Sequence, residues 1–438
     1  LITLKYDLII IGAGPGGCMA ARTAARAGLK VLLVEKNKKI MARRLCSRLL
    51  RLGSGGFGTD IIPTDIDSQR VTVSIEIDKH RSFIRPKTLP EDAVIEYTGT
   101  WGPCFNDSLL SPSGHRLSRE QNDLQITGFV VDKDILLEGL AREACDAGCE
   151  LRVDTRCTSI EDGPDGVTAI LKSGKATDTV KGSRAIVADG SFSTLLEQLG
   201  FNEGRPEARF RLKFLTLILD EVSAPILDRH RLKFCIPSLH KGYFTLGHYP
   251  PGYFQLGAST IAGSSVHLPA ILKNLMTKSP YAEWFSNAKT VKRTGCNMDL
   301  RPPVYEPAKG NVICVGDNAA YAEAAIKGAI GFGYTAAHST LTALEGGDGN
   351  AYYNDYWHHA VNYFSPEYRR NTSQIKPLPR VLNDGEADTL FKWTEDNGIW
   401  GVPDDCLTSN RQLLHSELPE IAKKIFVSQS GKKDIRAA

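Results

Sequence analysis

Six consecutive residues, Gly12-Ala13-Gly14-Pro15-Gly16-Gly17, contain the spacing G-x-G-x-x-G at Gly12, Gly14 and Gly17. That spacing suits a phosphate-binding turn. The first glycine permits a tight bend, the second lets the backbone approach a pyrophosphate, and the third lets a helix pack on a strand. The helix that follows would offer its unpaired N–H groups to the phosphates. Glu35, with Lys36 beside it, lies about twenty residues further on, where a carboxylate accepts both hydroxyls of an adenosine ribose. Two more carboxylates, in Asp189-Gly190 and Gly316-Asp317, follow apolar runs. At the C-terminal edge of a sheet they could accept the hydroxyls of a ribityl chain. The chemistry these groups describe is the binding of a dinucleotide.

The elements that must position them are legible around each motif. Tyr6–Ile11 is a branched apolar run without alternation, which predicts a parallel strand covered on both faces. Cys18–Leu29 is alanine-rich and ends at Gly28, which predicts a helix with a glycine stop. Val31–Val34 predicts the second strand, with Glu35 at its end. Arg184–Ser193 and Asn311–Asp317 read as further strands ending in Asp189-Gly190 and Gly316-Asp317. A second glycine match at Gly53–Gly58 has no strand before it and no helix after it, so it reads as a loop.

Composition narrows the class. The 438 residues carry 53 Lys+Arg against 50 Asp+Glu, a poor electrostatic footprint for nucleic acid. The 10 cysteines are dispersed and form no C-x-x-C, which argues against zinc and iron–sulfur sites and for a reducing cytoplasmic setting. No apolar run approaches the ~20 residues of a membrane span. The first strand begins almost at once, so a cleaved leader is not expected.

The fingerprint alone does not choose between FAD and NAD, and the later motifs decide it. The fingerprint, the segment Val130–Gly148, the A-D-G-x-x-S motif from Ala188 to Ser193, and Gly316-Asp317 followed by Lys327–Gly333 resemble the FAD-dependent superfamily of aromatic hydroxylases, geranylgeranyl reductases and electron-transfer-flavoprotein dehydrogenases. Within it, Leu109–Leu117 and Arg43-Arg44-Leu45-Cys46 are similar to the geranylgeranyl reductase group. The resemblance implies an α/β fold. A Rossmann-like FAD-binding domain of glutathione-reductase type would interleave with an antiparallel β substrate domain, followed by a helical C-terminal region. The implied boundaries are 1–67 with 131–204 and 301–345 for the FAD domain, 68–130 and 205–300 for the β domain, and 346–438 for the helical region.

By the same resemblance Gly12 to Gly17, Glu35 and Lys36 would hold the ADP half. Arg44 would lie near the pyrophosphate or ribityl, Asp317 would take ribityl hydroxyls, and a turn at Gly328-Ala329-Ile330-Gly331 would face the flavin pyrimidine edge. Asp189 is either structural or adjacent to the cofactor. Cys46 matches a flavin-facing cysteine of the reductases and is the first proton-donor candidate. Its other reading is a small buried hydrophobe. His248 and Tyr249 are the remaining candidates. Two features depart from the reductase pattern: Ala324-Ala325 stands where a proline is usual, and no Y-x-W-x-F-P segment occurs. The nearest stretch, Gly242–Leu256, carries Tyr243, Tyr249 and Tyr253, which either line a cavity or belong to a half-buried strand pair.

The expected function is flavin-dependent reduction, or desaturation, of a carbon–carbon double bond in an apolar or lipid-like substrate. Electrons would come from NAD(P)H or a ferredoxin-like donor. The alternatives are a flavin monooxygenase using NAD(P)H and O2, and an electron-transfer subunit. Lys423-Lys424 and Lys432-Lys433 near the end read as solvated surface, with peripheral membrane contact as the other reading.

Overall fold

The computed structural model describes residues 6–40, 48–51, 73–78, 81–86, 89–104, 106–119, 128–207, 211–225, 230–364 and 375–427. Arg44, Cys46 and the glycine-rich segment 53–58 lie outside the described residues.

Continuous burial makes Tyr6–Ile11 and Val31–Val34 central strands, with Asp7 alone partly exposed. They pair in parallel, Leu8 opposite Val31 and Ile11 opposite Val34. Glu150–Arg152 pairs in parallel beyond Val31–Val34. On the other side the second half of Ala176–Val187 runs parallel to Tyr6–Ile11, and Val312–Cys314 runs parallel beyond that. The first half of Ala176–Val187 instead leads into antiparallel pairing with Gly166–Ser173, which pairs with Arg156–Gly163.

The first helix runs Pro15–Arg26, three residues earlier at each end than the alanine pattern predicts. Proline fits the first helical turn, where its missing N–H has no partner to lose. Small side chains on this helix admit close neighbours. A second helix, Asp317–Leu344, approaches so near that a Cβ on Gly333 would lie 2.1 Å from the Gly16 carbonyl oxygen. On another side lies Lys133–Asp146, capped by Asp132, whose carboxylate accepts from the Asp134 N–H. Arg22 is buried between them, donating to Glu143 and to the carbonyls of Asp92 and Val94.

A second layer is a seven-stranded sheet in the order Lys289–Asp299, Arg211–Asp220, Tyr253–Ile261, Phe244–Tyr249, His230–Phe234, Asn106–Leu110, Arg116–Ser118. Its pairs are antiparallel except His230–Phe234 with Asn106–Leu110. The pleat sends Leu217, Leu219, Leu232, Phe234, Phe244 and Leu256 to one face, where they pack with Leu268, Leu272 and Leu275 of the helix Leu268–Lys278. Gly242–Leu256 is thus a strand pair, and one face of it also lines a cavity. The strand-like runs of 68–130 divide among three sheets rather than joining one. Val73–Asp78, Arg81–Pro86 and Ile95–Tyr97 form a separate sheet, as do Leu49–Arg51, Gly128–Val131 and Trp101–Cys104. Among the described strands of that region, Asn106–Leu110 and Arg116–Ser118, which pair as a hairpin, reach the large sheet. Which strands pair is set by contacts distant in the chain, which a period-two pattern does not record.

Short helices between Leu378 and Ile425 pack around Leu390, Phe391, Leu407 and Leu414 against the hairpin. Asp388 fastens them by accepting from the Ser111 hydroxyl at 2.6 Å and the Ser113 N–H at 2.7 Å. No helix among the described residues is long and apolar enough to cross a membrane.

Arg48 joins the two layers. It is 3% exposed, at φ 54°, and its guanidinium donates to Asp132 at 2.7 Å, Asp134 at 3.0 Å and the Tyr249 hydroxyl at 2.7 Å. Arg48→Met would leave both carboxylates without their common donor and should lower unfolding free energy by about 3 kcal/mol in urea denaturation. Arg48→Lys should recover only part of it, because a single ammonium lacks the planar fork that spans two acids.

Candidate functional site

A cavity of about 1360 Å³ starts at the C-terminal edge of the parallel layer and ends on the free face of the seven-stranded sheet. Ordinary ligand pockets hold roughly 300–1,000 Å³, so this space accommodates more than one small molecule. The parallel register puts Gly12, Glu35, Asp189 and Asp317 on this one edge, because each follows a strand of that layer.

The fingerprint turn is built for close approach. Gly12 has φ +106°, and a Cβ there would fall 2.4 Å from the Ala188 carbonyl oxygen, so the turn abuts the neighbouring strand's end. At Gly14 the opposite holds: a Cβ would meet nothing within 4 Å. The backbone at Gly14 therefore faces open cavity, and Pro15 and Gly16 continue that wall into the helix N-terminus while Gly17 is buried behind it. Glu35 is 8% exposed and fixed on the turn, accepting from the Ala13 N–H at 3.1 Å and the Asn37 N–H at 2.8 Å. Lys36 lines the same wall. These residues fit an ADP group: N–H donors and a helix N-terminus for phosphate, and a held carboxylate for ribose.

Asp189 and Asp317 face the next stretch of the cavity, with Gly316 at φ +88°. Asn318 links the two motifs, its amide donating to Asp189 at 3.0 Å and to the Val187 carbonyl at 2.8 Å. Burial pushes the Asp189 carboxyl above the usual aspartate value, against the hydrogen bonds of Ser193 and Asn318 and the charge of Lys36. Behind the turn Arg205 donates to the carbonyls of Pro302 at 2.7 Å, Asn318 at 3.1 Å and Ala319 at 3.1 Å, and to the Asn202 side chain at 2.9 Å. Burial, and then the neighbouring Arg301, bring Arg205 down to about 10. Sequence reasoning missed Arg205 and Asn318, since neither stands in a motif whose spacing implies a role.

The expected turn at Gly328-Ala329-Ile330-Gly331 is corrected by the structure. All four are helical, and the non-helical backbone lies earlier, at Ala320 and at Ala325 with φ 43° and ψ −158°. The chain resumes its helix after that break, so Ala325, Ile326 and Ala329 line the cavity, whereas Gly328, Ile330 and Gly331 are not part of its wall. Further along the same helix, Gly333 packs closely against Gly16.

His248 and Tyr249 also stand off the wall. The Tyr249 hydroxyl accepts from Arg48, and the His248 ring packs 5.3 Å from that of Phe254. Of the three tyrosines, Tyr243 lines the cavity. A histidine not singled out in the sequence does so as well: His240 is buried, its Nε2 lies 2.8 Å from the Ser259 carbonyl, and burial lowers its pKa. Nε2 is then the protonated nitrogen of a neutral ring.

The chain is similar to several known proteins. The family described as FAD dependent oxidoreductase matches residues 7–40. A digeranylgeranylglycerophospholipid reductase of Methanospirillum hungatei is 24% identical over 401 residues, covering 88% of this chain and 88% of that protein. One of Methanosphaera stadtmanae is 26% identical over 204 residues, 47% of this chain and 42% of that protein, so the chain matches under half the length of that relative. In fold, the crystal structure of a geranylgeranyl bacteriochlorophyll reductase-like protein from Thermoplasma acidophilum superposes with a TM-score of 0.67 at 18% identity, covering 95% of this chain and 98% of that one. The fold is mixed α/β, and fold and site together resemble those of FAD-dependent oxidoreductases. More narrowly, the chain is similar to the geranylgeranyl reductases within that class.

Two measurements check the site. Glu35→Ala should raise the FAD dissociation constant about tenfold or more in a flavin-fluorescence titration, the loss expected for hydrogen bonds to a charged acceptor. Arg205→Met should also weaken FAD retention about tenfold while the far-ultraviolet circular dichroism stays that of the parent, because it frees the turn that carries Asp317.

Proposed function

We propose that this protein reduces carbon–carbon double bonds of an apolar, lipid-like substrate. The observation that carries this reading is the continuity of the cavity. It runs without a dividing wall from the fingerprint edge to a sheet face carrying Leu212, Phe214 and Ile261, with Ile271 and Met298 nearby. An extended apolar chain lies along such a wall, with its unsaturated carbons beside the cofactor. The names of the Methanospirillum and Methanosphaera relatives support a digeranylgeranylglycerophospholipid as the kind of substrate.

In this reading the cofactor domain is of glutathione-reductase type, and Gly12 to Gly17, Glu35, Lys36, Asp189, Gly316 and Asp317 hold FAD. Ala325, Ile326 and Ala329 take over the role first given to Gly328–Gly331, presenting a helix start to the ring. Reduced FAD, when bound, supplies hydride to the double bond. The apolar wall excludes water and holds the substrate carbons in place. Cys46 remains the proton donor on its resemblance to the reductases. Tyr249 becomes a positioning residue, as the acceptor through which Arg48 anchors the sheet, and His248, off the cavity wall beside Phe254, is given no part in the reaction. NAD(P)H or a ferredoxin-like protein is the electron source.

The test is anaerobic. FAD-loaded protein reduced with dithionite is mixed with digeranylgeranylglycerophospholipid, and the flavin spectrum is followed alongside the lipid mass. Reappearance of the oxidised flavin bands with a product heavier by one pair of hydrogens per reduced bond is expected. No reoxidation by any unsaturated lipid, together with a hydroxylated product once air is admitted, would establish the monooxygenase instead. Bleaching on addition of NADPH identifies the nicotinamide donor, and indifference to it points to a protein donor.

A further inference from the structure

Where the cavity wall meets solvent, its charged residues are cations: Lys36, Arg156, Lys241, Lys376 and Arg380 are all exposed. At one corner the character changes. Phe192 is 44% exposed and Val266 39%, and among the described residues these are the exposed large apolar side chains that also line the cavity. Arg211 brings the two sides of this corner together. Its carbonyl accepts at 2.7 Å from the N–H of Ala262, at the start of the turn that leads to Val266, and its guanidinium carbon lies over the Phe192 ring, 5.4 Å from the centroid. Inward from the corner the wall continues through Ile261, Leu212 and Met298, which stand in one cross-strand row.

Phe192 also holds a conformation that its residue type avoids. Its φ is 62°, a left-handed backbone that is strained for a bulky side chain and persists only where the surroundings impose it. Here Gly190, at φ 82°, turns the chain off its strand, and Ser193 caps the helix Thr194–Gln198 by accepting from the Leu196 N–H at 3.3 Å. Phe192 is thus fixed between a turn and a helix start. Glycine or asparagine would meet that backbone with less strain. Core packing does not account for the phenylalanine, because nearly half of it stays exposed. Its place on the cavity wall does: an exposed apolar surface that borders a ligand cavity marks a path for an apolar ligand.

We infer that Phe192 and Val266 form the entrance by which the apolar chain of the substrate reaches the cavity, with the Phe192 ring as the surface the chain crosses on its way to Leu212 and Met298. The inference rests on the proposed reading of the cavity as a lipid site and adds the route of entry and the residue that controls it. A chain entering here leaves water in stages, first against a ring that Arg211 holds in place and then against aliphatic side chains, so no stage strips it of water without an apolar contact in return. The cationic stretches of the wall offer no such surface.

The experiment times association on the FAD-loaded, oxidised protein, where no turnover follows. A saturated C20 isoprenoid alcohol is mixed in a stopped flow and the shift in flavin absorbance is followed. Phe192→Asn should slow association about fivefold, because the apolar ring is gone from the entrance. The same variant should keep the parent's FAD retention and melt at or above the parent's temperature, because asparagine accepts positive φ. Phe192→Tyr should keep the parent rate, and Val266→Asn should slow association in the same direction, which keeps the test open if Phe192→Asn does not fold. Parent rates in both asparagine variants would overturn the inference, and slowing by Lys376→Asn instead would move the entrance to the cationic side. Weaker FAD retention in Phe192→Asn would assign the ring to the cofactor and overturn it as well. A parent protein that binds no such alcohol would remove the lipid reading and the entrance together. Binding slowed as expected, with no reduction of unsaturated lipid, would leave the entrance standing and defeat the double-bond chemistry alone.

Discussion

The parallel pairing of Ala176–Val187 with Tyr6–Ile11 on one side and Val312–Cys314 on the other is the constraint from which the rest follows. Three segments far apart in the chain end at the same sheet edge only because this strand holds them in register. A one-residue slip would turn each strand's side chains to the opposite face. It would also carry Asp189 away from Asn318 and separate the fingerprint turn from the Ala188 carbonyl against which Gly12 closes. The Arg205 contacts secure the same edge from behind, holding the backbone after Gly316-Asp317 by its own carbonyls rather than through side chains.

The seven-stranded sheet obeys a different logic. Its pleat divides residues between a packed face and a cavity face, and the division explains why this region looks ambiguous in sequence. Apolar residues occur on both faces: those at Leu232, Phe234 and Leu256 build the core, while Leu212 and Phe214 line the cavity. Polar residues among them, Thr216, Thr245 and Gln255, read as the solvent side of an ordinary strand. They face an enclosed space instead, because the C-terminal helices and the parallel layer cover that side. Arg48 makes the covering coherent, tying the sheet at Tyr249 to the helix cap at Asp132.

Glycines carried most of the legible information and also the main error. Gly12 and Gly14 could be read because their strand, helix and acid stand in fixed order around them, and the structure uses Gly12 for closeness and leaves Gly14 open. Gly328 and Gly331 sit in a similar local pattern but belong to a helix. A run of small residues is compatible with a turn and with a helix, so local order does not separate the two. The actual break in that helix is at Ala325, a residue type with no preference for positive φ, so no local propensity could mark it.

From the sequence alone came the dinucleotide fingerprint and the acids that end its strands, because each rests on short-range order that neighbouring residues enforce, and the resemblance built on those motifs pointed to the flavoprotein class. Only the tertiary structure decided which glycines turn and which stay helical, that His240 rather than His248 reaches the cavity, and that Arg205 and Asn318 support the turn before Asp317. These depend on register between strands distant in the chain, and a contact between such strands leaves no periodicity in either of them.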